Sequence, residues 1–167
     1  ITVTYLANSI NYTGEVKNYF TKPYFLYVGK RKRYKNFKII LESYAKLPEI
    51  RKNFDIVCFS GGDFIKEEIE YINKLSIDFN NIHFIDGSDD VLSSLYKNSE
   101  ALIYPSKYEG FGLPILEAMS LGCPVISSNA SSLPEVYGDA ALNFSPNSDE
   151  ALIDCINKIT SDNELKK

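Results

Sequence analysis

Five short apolar runs, each bounded by a glycine, a proline or a turn, set the main constraint on how this chain can fold. Tyr24–Val28 ends at Gly29, Ile56–Phe59 breaks at Gly61-Gly62, and Ile82–Ile85 meets Asp86-Gly87. Ala101–Tyr104 stops at Pro105, and Cys123–Ser127 is entered through Gly122 and Pro124. Between these runs apolar residues return at helical spacing. Phe37, Ile40, Leu41, Tyr44 and Leu47 mark a helix from Asn36 to Pro48, and Ile65, Ile69, Ile72 and Leu75 mark another, with Asp63 as a candidate N-cap. Further helices are expected from about Ser88 to Tyr96, after Pro114, and over Asp149–Thr160. Strands that are apolar throughout, alternating with helices, imply an α/β fold: a parallel sheet covered by helices on both faces.

Ligands of such sheets gather at the carboxyl ends of the strands. The turns at Gly29, Gly61-Gly62 and Asp86-Gly87, and the loop carrying Glu109, all fall there by this reading. Ile1–Tyr5 reads as a further strand, Gly14–Pro23 as a long loop, and Asn163–Lys167 as a fraying end. The chain opens on Ile rather than Met, which reads as a piece of a longer protein.

Composition narrows the function. At 167 residues one domain is the simplest reading. A formal net charge of −4 argues against broad nucleic-acid binding, which needs a basic face. Cys58, Cys123 and Cys155 lack metal-type spacing and read as buried thiols of a reducing cytoplasm. No apolar run approaches the ~18 residues of a membrane span, and no signal peptide is visible. The location expected is cytoplasmic, with peripheral attachment at the inner membrane left open.

Two segments carry chemistry. Lys30, Arg31, Lys32, Arg33, Lys35 and Lys38 place six of the chain's 18 basic residues in nine positions, with no acid among them. They lie at the positive end of a helix, an arrangement that favours an arriving anion such as a diphosphate. A solvated basic loop, or a patch against acidic lipid, is the plainer alternative; Lys32 and Arg33 are read as bystanders. The second segment runs Glu109-Gly110-Phe111-Gly112-Leu113-Pro114-Ile115-Leu116-Glu117 and sets two carboxylates eight positions apart around a glycine turn and a helix start. Gly110 and Gly112 leave backbone uncovered beside that helix start, as a bound anion requires, and carboxylates accept bonds from sugar hydroxyls. Glu117 is placed in the helix's first turn and could take both hydroxyls of a ribose. Glu109 as an exposed turn residue is the alternative. An acid–base pair for inverting hydrolysis is a weaker one, because nothing in the sequence raises either acid's pKa.

Other candidates carry less. Gly61-Gly62-Asp63-Phe64-Ile65-Lys66 is not a dinucleotide fingerprint, no phosphate-loop motif occurs, and metal ligands lack useful spacing. His83, the single histidine, sits inside a strand and reads as structural. Ser127–Pro134 reads as a polar loop whose hydroxyls either approach the ligand or serve ordinary turn chemistry.

The chain resembles the carboxyl-terminal half of a group 1 (family 4) retaining glycosyltransferase. The likeness is carried by Tyr27-Val28-Gly29 leading to Lys35-Asn36-Phe37, by Tyr104-Pro105-Ser106-Lys107-Tyr108-Glu109-Gly110-Phe111-Gly112-Leu113-Pro114, by Glu117-Ala118-Met119, by Gly122-Cys123-Pro124-Val125, and by Ser132-Leu133-Pro134-Glu135-Val136. It runs from about Val3 to Leu152. It implies a Rossmann-like, doubly wound sheet, one half of the GT-B arrangement, with the nucleotide-sugar donor as ligand. By resemblance Arg31 or Lys30, together with Lys35, holds the donor diphosphate, assisted by the backbone of Gly112 and Leu113. Glu109 contacts the donor sugar at its anomeric centre, with Gly110 and Phe111 beside it, and Glu117 grips the ribose. The base lies along Phe84 and Ile85, although Asp86 stands where the family has glycine.

The reaction implied is transfer with retention, without metal or other cofactor, to an acceptor hydroxyl on a glycan or lipid-linked glycan, in polysaccharide or lipopolysaccharide synthesis. A donor phosphate oxygen takes the acceptor's proton. The amino-terminal acceptor domain is expected to lie outside these residues, so the chain alone should bind donor and transfer little sugar. A non-catalytic nucleotide-sugar-binding module, or another GT-B enzyme such as an epimerase or phosphorylase, is the alternative.

Overall fold

A computed structural model describes residues 14–31 and 33–162. The expected strand at Ile1–Tyr5 and the tail 163–167 lie outside the described residues. Six strands form one parallel sheet in the order β3-β2-β1-β4-β5-β6: β1 Tyr24–Val28, β2 Asp55–Phe59, β3 Ile82–Ile85, β4 Ala101–Tyr104, β5 Val125–Ser128 and β6 Leu142–Phe144. This is the Rossmann order, and the direction of winding reverses between β1 and β4.

The sheet is buried on both faces because each strand alternates between two cores. Phe25, Tyr27, Ile56, Cys58, Ile82 and Ile103 pack under α1 (Phe37–Ala45), α2 (Pro48–Asn53), α3 (Lys66–Lys74) and α7 (Asp149–Ser161). Tyr24, Leu26, Val28, Val57, Leu102 and Val125 pack under α4 (Asp89–Asn98), α5 (Leu113–Ser120) and α6 (Leu133–Tyr137). All three cysteines are buried and free, and burial pushes the Cys58 thiol to about 12 and the Cys123 thiol to about 11. They are inert core groups. His83 is structural as well: its Nε2 lies 2.9 Å from Asp55 Oδ2, and its ring packs on Phe20 at 4.9 Å.

Several expectations need correction. The first helix ends at Ala45, and Pro48 opens a separate short helix instead of stopping a long one, since proline suits a first helical turn. Asp63 does not cap α3: the helix starts at Lys66, with Glu68 in its first turn accepting the Ile65 N–H at 3.0 Å. The fifth strand begins at Val125 and not at Cys123. The polar loop expected to run to Pro134 gives way at Leu133 to α6, and β6 follows; the sequence reading has neither, because elements of five and three residues show no period. Among the described residues no helix is long and apolar enough to cross a membrane.

Candidate functional site

The loops after β1 and β4 flank the point where the winding reverses, which opens a crevice there. After Gly29 the first loop forms a single 3-10 turn, Arg33–Lys35, and then Asn36 adopts the left-handed conformation (φ 58°) before α1. Asn36 Nδ2 donates to Pro105 O at 3.1 Å and to Pro146 O at 2.8 Å, and Lys107 N–H donates to Tyr34 O at 2.8 Å. The two loops are thereby stitched together. Across the seam Lys35 Nζ lies 2.6 Å from Glu109 Oε1 and donates to the Tyr104 hydroxyl at 3.2 Å. The Lys35 and Glu109 side chains are only 17% and 12% exposed, so water screens the pair weakly. Burial keeps the Tyr104 phenol neutral by raising its pKa far above its ordinary value, which suits it to accept from an ammonium.

Beyond Glu109 the chain turns through Gly110-Phe111-Gly112 into α5. Gly112 has φ 95°, and a Cβ there would sit 2.7 Å from Leu133 Cδ2, so the tight turn needs glycine twice over. No side chain caps α5, Pro114 lacks an N–H, and Ile115 N–H goes to Gly112 O at 3.0 Å. That leaves the Gly112 and Leu113 N–H groups as the donors at this helix start. The hydroxyls of Ser131 and Ser132 donate to Glu109 O at 2.8 and 3.0 Å and hold the loop from behind. These two hydroxyls serve the turn.

Glu117 lies in the second turn of α5 and not the first, so the helix start does little for it. It faces α4, where the Tyr96 hydroxyl donates to its Oε2 at 3.0 Å. Burial, followed by the nearby Asp89 charge, raises its pKa despite that bond. Nothing in the sequence raises this acid; its burial in the fold does.

The remaining candidates are spread along the same edge. Lys30 is exposed, with its carbonyl accepting from the Tyr27 hydroxyl at 3.1 Å. Arg31 turns inward: its side chain is 3% exposed and pairs with Glu68 at 2.9 Å. Phe84 lies beneath that guanidinium at 5.9 Å, and Ile85 O accepts the Ser60 N–H at 3.2 Å. Phe84 and Ile85 are both partly exposed on β3. Asp86 bonds the following Gly87 N–H at 2.9 Å, and a Cβ on Gly87 would meet Val91 at 2.8 Å. A cavity of about 620 Å³ lies on this side, with Lys30, Arg31, Tyr34, Gly61 and Glu68 in its lining.

The structure thus brings Lys35, Glu109 and the Gly110–Leu113 turn together and holds Arg31 on Glu68, by the loop after β2. Crowded cations at a helix start had implied an anionic ligand. Two of them instead find carboxylates within the chain, Lys35 on Glu109 and Arg31 on Glu68. As site residues Asn36, Tyr104, Tyr96 and Glu68 were missed, because each acts through a partner distant in sequence; Ser131 and Ser132 lie in the polar loop that the sequence marks. Only Asn36, a residue tolerant of the left-handed region just before a helix, carried a local signal. Among the described residues no three His, Cys, Asp or Glu side chains group as metal ligands would.

Residues 11–167 match the family model described as "Glycosyl transferases group 1". Over 131 residues, 77% of this chain and 34% of the other, it is 38% identical to O-antigen chain mannosyltransferase B of Escherichia coli. The chain therefore spans about a third of the length of that relative. Among solved structures it superposes on WaaG, a glycosyltransferase involved in lipopolysaccharide biosynthesis, with a TM-score of 0.75 at 26% identity, covering 90% of this chain and 40% of that one. The C-terminal domain of the group 1 family protein LpcC from Francisella tularensis shares the fold at a TM-score of 0.68 and 23% identity, covering 87% of this chain and 80% of that one.

Proposed function

The chain belongs to the group 1 glycosyl transferases, and from that membership we propose that it forms the donor-binding half of a retaining glycosyltransferase of the GT-B arrangement. The observation that carries this reading is the convergence of Lys35 and Glu109, 2.6 Å apart, beside the uncapped start of α5. A cation, an acid and free backbone donors meet at the sheet's switch point, where a ligand bearing both a diphosphate and sugar hydroxyls finds a partner for each group. The fold shared with the C-terminal domain of LpcC, and the third of the mannosyltransferase that the chain spans, support a division of labour in which another domain binds the acceptor.

In this reading Lys35 exchanges Glu109 for the donor diphosphate, with Lys30 and the Gly112 and Leu113 N–H groups assisting. Glu109, released, accepts from hydroxyls of the donor sugar, close to the anomeric carbon. Gly110 and Phe111, next in the turn, contact the same sugar. Glu117 accepts from the ribose, and the base lies along Phe84 and Ile85. The chain's own cations neutralise the leaving diphosphate, so the scheme uses no metal. Fixed charges aimed at an oxocarbenium-like transition state supply the acceleration. A donor phosphate oxygen receives the acceptor's proton, and the configuration at the anomeric carbon is retained. The acceptor is a glycan or lipid-linked glycan of polysaccharide or lipopolysaccharide synthesis, met at the cytoplasmic side. Alone, the chain binds donor and transfers little.

Calorimetric titration of the chain with GDP, UDP and dTDP, each beside its nucleoside, tests the reading. A nucleoside-diphosphate mannose is the first sugar donor to try, given the similar mannosyltransferase. One diphosphate should bind at least about tenfold tighter than its nucleoside, as one or two charge-assisted contacts require. Equal binding of diphosphate and nucleoside across the panel would exclude the proposed site.

A further inference from the structure

Arg31 spends its donors inward. Nε donates to Glu68 Oε1 at 2.9 Å, and Nη2 donates to Gly62 O at 2.8 Å, Asp63 O at 2.9 Å and Glu68 Oε2 at 3.3 Å. The guanidinium lies over the Phe64 ring, 4.4 Å from its centroid. The third nitrogen, Nη1, is buried with no hydrogen-bond partner, beside Gly61. Glu68, in the first turn of α3, also accepts the Ile65 N–H at 3.0 Å. One carboxylate therefore ties the start of α3 to the loop after β1, and through Arg31 to two carbonyls of the loop after β2. Those loops touch along their backbones: a Cβ on Gly61 would come within 2.9 Å of Gly29 O and 3.1 Å of Lys30 Cα.

We propose that Arg31 and Glu68 are a positioning pair that clamps the loop after β1 against the loop after β2, fixing Lys30, the residue next to Arg31, for the donor diphosphate. The inference rests on the donor-binding reading and deepens it. A guanidinium with two edges engaged by protein acceptors, and 3% exposed, is built to hold backbone in place. Were Glu68 merely a competing acid that quenched a phosphate-binding arginine, removing its charge would free Arg31 for the ligand.

The two roles predict opposite signs. Glu68→Gln keeps one acceptor but turns an NH2 toward the Ile65 N–H, and Arg31→Lys keeps the charge while losing the planar fork. Each is titrated, with the double variant, against the nucleoside diphosphate that the wild-type chain binds and against its nucleoside, after thermal unfolding confirms folded protein. Each single change should weaken the diphosphate about five- to tenfold and leave the nucleoside within about twofold, and the double should be no worse than the weaker single, as for two residues acting as one unit. Tighter diphosphate binding by Glu68→Gln, wild-type affinity in Arg31→Lys, additive losses, or equal loss of nucleoside would each overturn the clamp. If the wild-type chain binds no diphosphate, the donor-binding reading itself fails. The clamp is then judged by amide exchange at Gly61–Asp63, which Glu68→Gln should accelerate and which an unchanged rate would refute.

Discussion

Lys35 Nζ stands 2.6 Å from Glu109 Oε1, although 74 positions separate the two residues. In the proposed donor complex each side chain leaves the other to take up the ligand, so the pair would hold the site's charge in neutral form beforehand. The residual exposure of both, 17% and 12%, leaves a path for that exchange.

Lys35→Ala separates phosphate recognition from the rest. It should weaken a nucleoside diphosphate about 10- to 100-fold, equivalent to ~1.5–3 kcal/mol for a charge-assisted contact, and leave the nucleoside nearly unchanged. Calorimetry on both ligands decides, and equal losses would contradict a phosphate role.

Glu117→Gln should move stability and binding in opposite directions. Because burial raises the Glu117 pKa, the folded state prefers the protonated acid. Its favourable contribution is complete below the unfolded-state value, ordinarily near 4.3, and is lost as pH rises through the higher folded-state value. The amide mimics the protonated form, so the variant's Tm should exceed wild type at neutral pH and converge with it on acidification. Ribose-containing ligands should bind more weakly whatever their phosphate count. A Tm gap that widens toward low pH would reverse the assignment.

Gly112→Ala tests the turn. With φ 95° and Leu133 Cδ2 only 2.7 Å from the added carbon, the variant should lose about 1–3 kcal/mol in urea unfolding. Diphosphate affinity should fall with it, since the α5 start shifts. Wild-type stability in this variant would mean that the turn relaxes freely.

Asn36 carries two separable roles, its left-handed backbone and its two side-chain bonds to Pro105 O and Pro146 O. Asn36→Gly removes only the bonds, whereas Asn36→Ala adds the strain of φ 58°. Both should be destabilised, alanine by about 1 kcal/mol more than glycine. Chemical denaturation of the two variants side by side measures the difference.

Much of this protein was legible in the chain because its signals are local. Apolar strands such as Tyr24–Val28 and Ile56–Phe59 announce a sheet buried on both faces, and Gly110, Gly112 and Pro114 announce a tight turn into a helix. Lys35 and Glu109 were marked by the company they keep in the sequence. The short elements were not legible: β6 and α6 are held by the sheet and by α5 rather than by their own pattern. What Arg31 does was equally hidden, since nothing near it in the chain announces Glu68 or the carbonyls of Gly62 and Asp63. The raised pKa of Glu117 had no sequence signal either, because burial raises it, and that burial arises only in the fold, where Tyr96, 21 positions away, lies against the acid.

By itself, then, the sequence determined the sheet, its two-faced burial and the residue types gathered at its carboxyl edge, because periodicity and turn chemistry act over a few residues. Only the tertiary structure decided which cations face the crevice and which are turned inward, because that depends on partners the sheet order brings beside the loop after β1, Glu109 from after β4 and Glu68 from after β2.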